Sequence, residues 1–435
     1  MIWYAGAILI LLFALIFKLS LLAYAMYALL GVLLVSRWLT RSWAASLYAK
    51  RTVDKLAAEV GQTVSVELTI ENAGKLPIAW VLLEDLLPRA AIMYDPPNLA
   101  VTGSRIELTM MKPRGIKTLL YQLTCNRRGY YQIGPLVLET GDLFGLHRRY
   151  RVATEPQFLM VLPKVMPLAG YEVVSKRPIG EVRMTYRLFE DPTRIAGVRA
   201  YERGDPLNRV SWKATARTGQ LHSKVYEPST VVGATILLDF HKASHAKGGE
   251  PYRSELAITA AASIANAVYL MGQQIGLVTN GRDAADRIRT EGWAGDVRTR
   301  AAAKASVGMK EKSDRLQPLI VQTRRGPEQL MQILETLARV ELTDGLTLPQ
   351  LIVESTSRMP RDASVIVILP KVTMETAIAL GELRRQGYAI TAVINTYEED
   401  DFAHASGPLL AAGIPTRHLK DEQAVVEVCR QYVLR

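Results

Sequence analysis

Val231-Val-Gly-Ala-Thr-Ile-Leu-Leu-Asp-Phe240 is an apolar, β-branched run whose first charge is Asp239. A strand with one wet face alternates apolar and polar residues. One that does not alternate is covered on both faces, as in a parallel sheet flanked by helices. Downstream, Leu256, Ala260, Ile264, Ala267 and Leu270 recur every three or four residues, which predicts a helix over 252–271. Residues 275–279 and 364–369 repeat the strand pattern. Residues 373–385 read as a helix, 389–395 and 417–419 as strands, and 421–432 as a last helix. Strands alternating with helices imply right-handed crossovers and an open, doubly wound α/β sheet over 230–435. A polar insertion, 281–326, interrupts it with eleven Lys or Arg and six Asp or Glu. It reads as a solvated excursion or as a patch for lipid headgroups or an acidic partner.

Toward the N-terminus the period changes to two. Val64, Val66, Leu68 and Ile70 alternate with polar residues, as do Leu119, Tyr121, Leu123 and Cys125. Asn72-Ala-Gly74 and Arg127-Arg-Gly129 are turn signals, and 78–83, 130–133, 136–139 and 157–162 read as further short strands. With no helical stretch between them, they predict a small immunoglobulin-like β-sandwich over 52–163, a module that spaces or binds.

Before that lies grease. Residues 2–17 and 20–36 carry no charge, and Lys18 separates them. Each run reaches roughly 24–26 Å as a helix, slightly short of a ~30 Å hydrocarbon core. Trp3, Tyr4 and Trp38 stand at the ends, where aromatic rings favour the interface. Two short spans forming a hairpin over 1–38 are expected, with one long tilted helix as the rival. A cleaved signal peptide fits less well, because the run is long and lacks a basic leader. Arg37, Arg41, Lys50 and Arg51 follow the second span, so the positive-inside rule places the body in the cytoplasm.

The 435-residue chain is 49% hydrophobic and 22% charged, a globular balance, and its formal charge of +11 comes from no single block. Next to an apolar N-terminus, the bilayer surface is a simpler partner for that charge than nucleic acid. Cys125 and Cys429, the two cysteines, share no CxxC spacing, which excludes a disulfide framework or a thiolate zinc site.

The densest motif lies in 164–229, a connector between the modules: Gly197-Val-Arg-Ala-Tyr-Glu-Arg-Gly-Asp-Pro-Leu-Asn-Arg-Val-Ser-Trp-Lys-Ala-Thr-Ala-Arg217, continuing to Lys224 and Glu227. Gly204-Asp205-Pro206 is a tight turn. Arg199, Arg209 and Arg217 supply guanidiniums able to fork onto Asp205 or Glu227, and Trp212 offers a face for stacking. Such a constellation braces a junction or displays a recognition surface. Both readings stay open.

Arg199, Tyr201, Gly204, Asp205, Arg209, Val210, Trp212, Ala216 and Arg217 follow a spacing that resembles the signature of the domain of unknown function 58 proteins. Arg128-Gly-Tyr-Tyr131, Gly134-Pro135 and Asp142-Leu-Phe-Gly-Leu146 resemble that family's landmarks too. The resemblance implies a membrane protein with a von Willebrand factor A-like C-terminal half. It also implies a MoxR-type AAA+ ATPase as protein partner, and no known reaction.

Von Willebrand A domains often hold Mg²⁺ through D-x-S-x-S after the first strand. Here Asp239 is followed by His241 and Ala243 where the serines belong, and Lys371 stands where an acidic ligand is expected. Hard oxygen donors are what Mg²⁺ requires, so Asp239 is a weak metal candidate and no cofactor is expected. His241 and His245 read as exposed imidazoles in a polar loop. Ser244-His-Ala-Lys247 matches S-x-x-K without its companion motifs. G-x-x-x-x-G-K-[ST], HExxH and GxSxG are missing, so neither a small-molecule substrate nor a catalytic centre is expected. The chain therefore reads as a membrane-anchored, non-catalytic scaffold. The rival readings are an envelope-related enzyme and a metal-dependent adhesion module.

Overall fold

The computed structural model describes residues 2–145, 147–167, 190–201, 210–228, 233–286, 316–360 and 363–433. It is a mixed α/β protein that divides by contact into two units. The first comprises 1–164, 281–315 and 334–343, the second 165–280, 316–333 and 344–435.

The first unit opens with helices α1 (Ile2–Ile16) and α2 (Ser20–Ser46). The turn between them needs neither Gly nor Pro. Lys18 adopts a left-handed φ of 52°, and Leu19 N–H reaches back to Ala14 O at 2.8 Å, which satisfies a terminal carbonyl of α1. The Tyr4 hydroxyl donates to Leu33 O across the pair at 2.9 Å. By length and composition α2 is able to cross a membrane. It runs on past the expected hairpin end at 38, and Arg151 caps it by donating to Ala44 O at 3.0 Å and Ala45 O at 3.2 Å.

Strand β1 (Leu47–Val53) begins where α2 stops, so the sandwich starts earlier than the expected residue 52. Then come β2 (Ala57–Glu59), β3 (Thr63–Asn72), β4 (Ile78–Asp85), β5 (Leu99–Gly103), β6 (Ile106–Met111), β7 (Ile116–Cys125), β8 (Gly129–Ile133), β9 (Leu136–Gly141), β10 (Arg148–Thr154) and β11 (Gln157–Leu162). They form sheets of order β1-β3-β7-β5, β10-β9-β4-β6 and β2-β11-β8. The alternation read in β3 and β7 is real: Val64, Val66, Leu68, Ile70, Leu119, Tyr121 and Leu123 all point into one core, against Val81, Leu83 and Leu138 of the second sheet. Strands β1, β2, β5, β6 and β10 escaped the sequence reading. In β6 the outward face carries exposed Leu108 and Met110, and β10 is half-exposed with three arginines, so neither shows a clean apolar face.

An ion pair lies inside this sandwich. Arg51 forks onto Asp85, with both side chains almost wholly buried, and donates to Glu155 O at 2.8 Å. The Tyr121 hydroxyl donates to the same carboxylate at 2.7 Å. Burial, with Asp85 beside it, raises the Tyr121 phenol far above its ordinary value. Arg51 therefore serves the interior of the sandwich. Two landmarks acquire reasons. Gly134 has φ +86°, and a Cβ there would collide with the Arg51 guanidinium. A Cβ on Gly129 would meet the Tyr131 ring at 2.7 Å, because Tyr131 folds back to donate to Arg127 O and Arg128 O, both at 3.0 Å. Arg128 in turn donates to the carbonyls of Leu337 and Val340 at 2.9 and 2.8 Å.

In the second unit β12 (Glu190–Ala200) pairs antiparallel with β13 (His222–Pro228), and α3 (Trp212–Thr218) precedes β13. Strand β14 (Gly233–Leu238) is buried along its whole length. After it come α4 (Tyr252–Leu270), β15 (Gln274–Thr279), β16 (Leu319–Arg324), α5 (Pro327–Arg339), α6 (Leu348–Ser355), β17 (Ala363–Leu369), α7 (Met374–Arg385), β18 (Ile390–Ile394), α8 (Glu399–Ala411), β19 (Thr416–His418) and α9 (Glu422–Val433). The six-stranded sheet has the order β16-β15-β14-β17-β18-β19. All neighbours are parallel except β16, which runs antiparallel to β15. The parallel strands and helices α4, α7 and α9 match the sequence reading closely.

The insertion does not. Its last residues are the edge strand β16, and Arg282–Asp283 pairs with Val340–Glu341. Residues 287–315 of it lie outside the described residues. Helices α5, α6 and α8 were also not anticipated. Helix α6 is short and relies on a capping box between Thr347 and Gln350, while the stripe of α8 is broken by Pro408 and preceded by three acidic residues.

Candidate functional site

Two places in the second unit gather the residues singled out in sequence. The first is the motif. Arg199 pairs opposite Ser223, and Val198 opposite Lys224, which sets Arg199 and Lys224 on neighbouring strands. Arg199 donates to Ala200 O at 3.1 Å. Tyr201 N–H continues the ladder to Leu221 O at 2.9 Å. Ser211 N–H donates to His222 O at 2.8 Å, which fixes the entry to α3, and Gly219 ends that helix with φ 73°. The Thr215 hydroxyl accepts from His222 N at 3.1 Å, tying α3 to β13.

Trp212 opens α3 and is 71% exposed. It stacks on no described guanidinium, and Arg209, one of the three expected partners, lies outside the described residues. Arg217, in the last turn, is exposed as well. Val198 and Leu221 add exposed apolar surface. Gly204, Asp205 and Arg209 lie outside the described residues, and so does the side chain of Glu227. The described half of the motif is thus a hairpin and short helix displaying an aromatic ring.

The second place is the carboxyl edge of the parallel sheet, where strand order reverses about β14. In open α/β sheets this is the crevice that takes ligands. Asp239, Asn280 and Asn395 follow directly on β14, β15 and β18. The buried Asp239 Oδ1 accepts from Asn280 Nδ2 at 2.9 Å and from His241 N at 3.1 Å. Asn280 Oδ1 accepts from Phe240 N at 2.6 Å, and its amide also donates to Leu346 O at 2.9 Å. The weak metal candidate is therefore engaged with nitrogen donors. Among the described residues no three His, Cys, Asp or Glu converge as metal ligands.

His245 corrects the expectation of an exposed imidazole. It is buried, with Nδ1 2.8 Å from Glu250 Oε1 and Nε2 3.3 Å from Asp239 O. Ser254 Oγ donates to the other Glu250 oxygen at 2.5 Å. Nearby, Arg253 near the start of α4 donates to Asn395 Oδ1 at 3.1 Å and to Leu419 O and Lys420 O at 3.2 and 3.0 Å. Its guanidinium lies 4.0 Å from the Tyr397 ring centroid. Burial pulls it below the ordinary arginine value, opposed by Tyr397, Tyr252 and Asp421. Sequence reasoning missed Arg253, Asn280 and Asn395. The signal was there: each asparagine is the first polar residue after an apolar strand. Chemically this edge is an amide–carboxylate–guanidinium lattice that holds loops, although Arg253 Nη2 and Thr396 Oγ1 are buried with no hydrogen-bond partner among the described residues.

The first unit contains a further polar cluster. Ser36 Oγ donates to Asp142 Oδ2 at 2.7 Å and lies 3.2 Å from His147 Nδ1. Asp142 Oδ1 accepts His147 N–H at 2.8 Å, and Tyr4 Oη is 3.1 Å from His147 Nε2. A serine, a histidine and an aspartate meet, but the carboxylate binds the serine and a backbone amide. It does not orient the imidazole as a triad requires. The cluster fastens the Asp142 segment to the helices.

The family model described as "Protein of unknown function DUF58" matches residues 197–303, which contain the motif and the start of the parallel sheet. "Uncharacterized protein YeaD" of Bacillus subtilis is 25% identical over 261 residues, 60% of this chain and 62% of its own length. The match thus spans about three-fifths of that relative. Among solved structures, the PapD-like domain of human CEP192 is 19% identical with a TM-score of 0.18, over 26% of this chain and 83% of its own. The CARDB domain of Pyrococcus furiosus PF1109 is 12% identical with a TM-score of 0.19, over 27% and 87%. The pilus adhesin SpaC of Lactobacillus rhamnosus GG is 9% identical with a TM-score of 0.33, over 46% and 30%.

Proposed function

We propose that the chain is a membrane-anchored, non-catalytic scaffold. In this reading α1 and α2 cross the bilayer as a hairpin, the sandwich stands on its cytoplasmic face, and the α/β unit is a von Willebrand A-like module. That module presents a docking face to a protein partner, an AAA+ ATPase of the MoxR type. The exposed Trp212 carries the reading. A tryptophan left bare at the start of a short helix, with Val198, Leu221 and Arg217 also exposed in the same motif, has the composition of a binding hot spot, aromatic and arginine-bearing. The sheet order, with β14 central and one antiparallel edge, supports the module type. Arg37 and Arg41 directly after the charge-free part of α2 support the orientation.

The test is co-purification of the full chain from detergent-solubilised membranes. Retention of a P-loop ATPase by the parent chain, and its loss in Trp212→Ala with unchanged thermal stability, supports the proposal. A Trp212→Ala protein that retains the same partner overturns the docking face. A reporter at the C-terminus accessible from outside the intact cell overturns the orientation.

A further inference from the structure

A pocket of about 380 Å³ opens beside α2. It is lined by Ala28, Gly31, Val32, Val35, Ser36, Leu39 and Trp43 of the helix and by Asp142, Leu143 and Phe144. An engineered cavity of ~150 Å³ takes a benzene ring, and ligand pockets run from ~300 to 1,000 Å³, so the space suits a flexible hydrocarbon of moderate length. Its wall is nearly all apolar, which rules out a polar metabolite as the natural occupant.

Three features say what fills it. Two residues of its own lining, Val32 and Val35, are exposed, as on a lipid-facing helix. Leu143 and Phe144 are 76% and 68% exposed, yet Asp142 pins their segment to Ser36, at the last residue before Arg37. That is the depth at which a span of this register leaves the hydrocarbon, and it sets both apolar side chains at the bilayer boundary. Lastly, Trp43 lines the pocket while its indole N–H, buried in a residue only 6% exposed, has no acceptor among the described residues. A buried donor without a partner costs free energy that a ligand oxygen recovers.

We infer that this pocket holds an acyl chain of a membrane phospholipid. The ester end lies toward Trp43, and the phosphate faces the basic residues within a turn of it, Arg41 and the α2-capping Arg151. This rests on the membrane reading above. It adds a bound lipid that orders the Asp142–Phe144 segment and so couples the sandwich to bilayer composition.

Gly31 provides the test, because it lines the pocket and a Cβ added there meets nothing within 4 Å, so Gly31→Phe has room to start a side chain that competes for the space. The full chain is reconstituted in vesicles of phosphatidylethanolamine and phosphatidylglycerol doped with a phospholipid bearing a diazirine on its acyl chain. Cross-links are then mapped by mass spectrometry. In the parent protein they fall on the less exposed pocket-lining positions Ser36, Leu39 and Trp43 and also on the exposed α1 positions Leu9, Leu12 and Ile16. In Gly31→Phe the first group falls at least tenfold, equivalent to about 1.4 kcal/mol of binding, while α1 labelling stays the same. Pocket labelling that survives in Gly31→Phe overturns the lipid site and leaves the anchor standing. Absence of labelling on α1 as well overturns the membrane reading itself.

Discussion

Ser36 on α2 and Asp142 after β9 meet in a 2.7 Å hydrogen bond, so a side chain at the rim of the apolar helix is locked to a loop of the sandwich. Burial alone would raise the Asp142 pKa. The His147 amide, the Ser36 hydroxyl and the His147 ring more than offset it, and the carboxyl lies below the ordinary value. Trp80 Nε1 donates to its carbonyl at 3.4 Å, and Tyr4 and Arg37 stack at the same corner.

A depressed folded pKa means the group contributes stability above its unfolded value of ~3.9, and that contribution is lost as pH falls through the lower folded value. The full chain in detergent should therefore show an acid-side drop in Tm that is smaller in Asp142→Asn. An identical acid limb in both proteins would show that Asp142 has no part in it. At neutral pH Asp142→Ala strands two donors and should cost about 1–3 kcal/mol.

Removing one partner of the buried Arg51–Asp85 pair leaves an uncompensated charge, a loss of about 3–5 kcal/mol. Asp85→Ala should lower Tm more than the Arg51→Met, Asp85→Leu double variant, which buries neither charge. Gly134→Ala should join the severe group, because it forces both a positive φ and a collision with Arg51. Thermal melts of the four proteins rank them.

At the sheet edge, Asn280→Ala should be more damaging than Asp239→Asn. The asparagine bonds Phe240 N, Asp239 and Leu346 O at once, whereas Asn at 239 retains an acceptor at Oδ1. Losing several buried bonds costs about 1 kcal/mol each. With Oδ1 of Asp239 already taken, Mg²⁺ should leave the melting curve unchanged. A rise with metal concentration would mark specific binding to the folded state.

Both thiols should resist alkylation in the folded protein. Burial pushes Cys125 up to about 11, with Lys55 and Asp54 acting in opposite senses, and Cys429 up to about 12. The thiolate is the reactive form, so iodoacetamide at neutral pH should label neither until denaturant is added. Rapid labelling of the native chain would place at least one of them at the surface.

Much of the architecture was legible because it is local. The unbroken run at β14 announced a strand covered on both faces, and the alternation in β3 and β7 announced a sandwich wall. The edge strands β6 and β16 were not legible: they expose one face or one rim to solvent, so their side chains carry no burial pattern. The motif was visible as spacing, whereas the exposure of Trp212 was not, because it depends on what packs over the ring.

Burial dictates side-chain periodicity, and periodicity is written in consecutive residues. From that alone the amino-acid order determined the apolar helices, the β-rich module and the alternating α/β run. The tertiary structure alone decided that Arg51 turns inward to Asp85, that Ser36 meets Asp142 and that Asp239 bonds Asn280. Those partners are far apart along the chain, and only the closed fold brings a donor within reach of a buried acceptor.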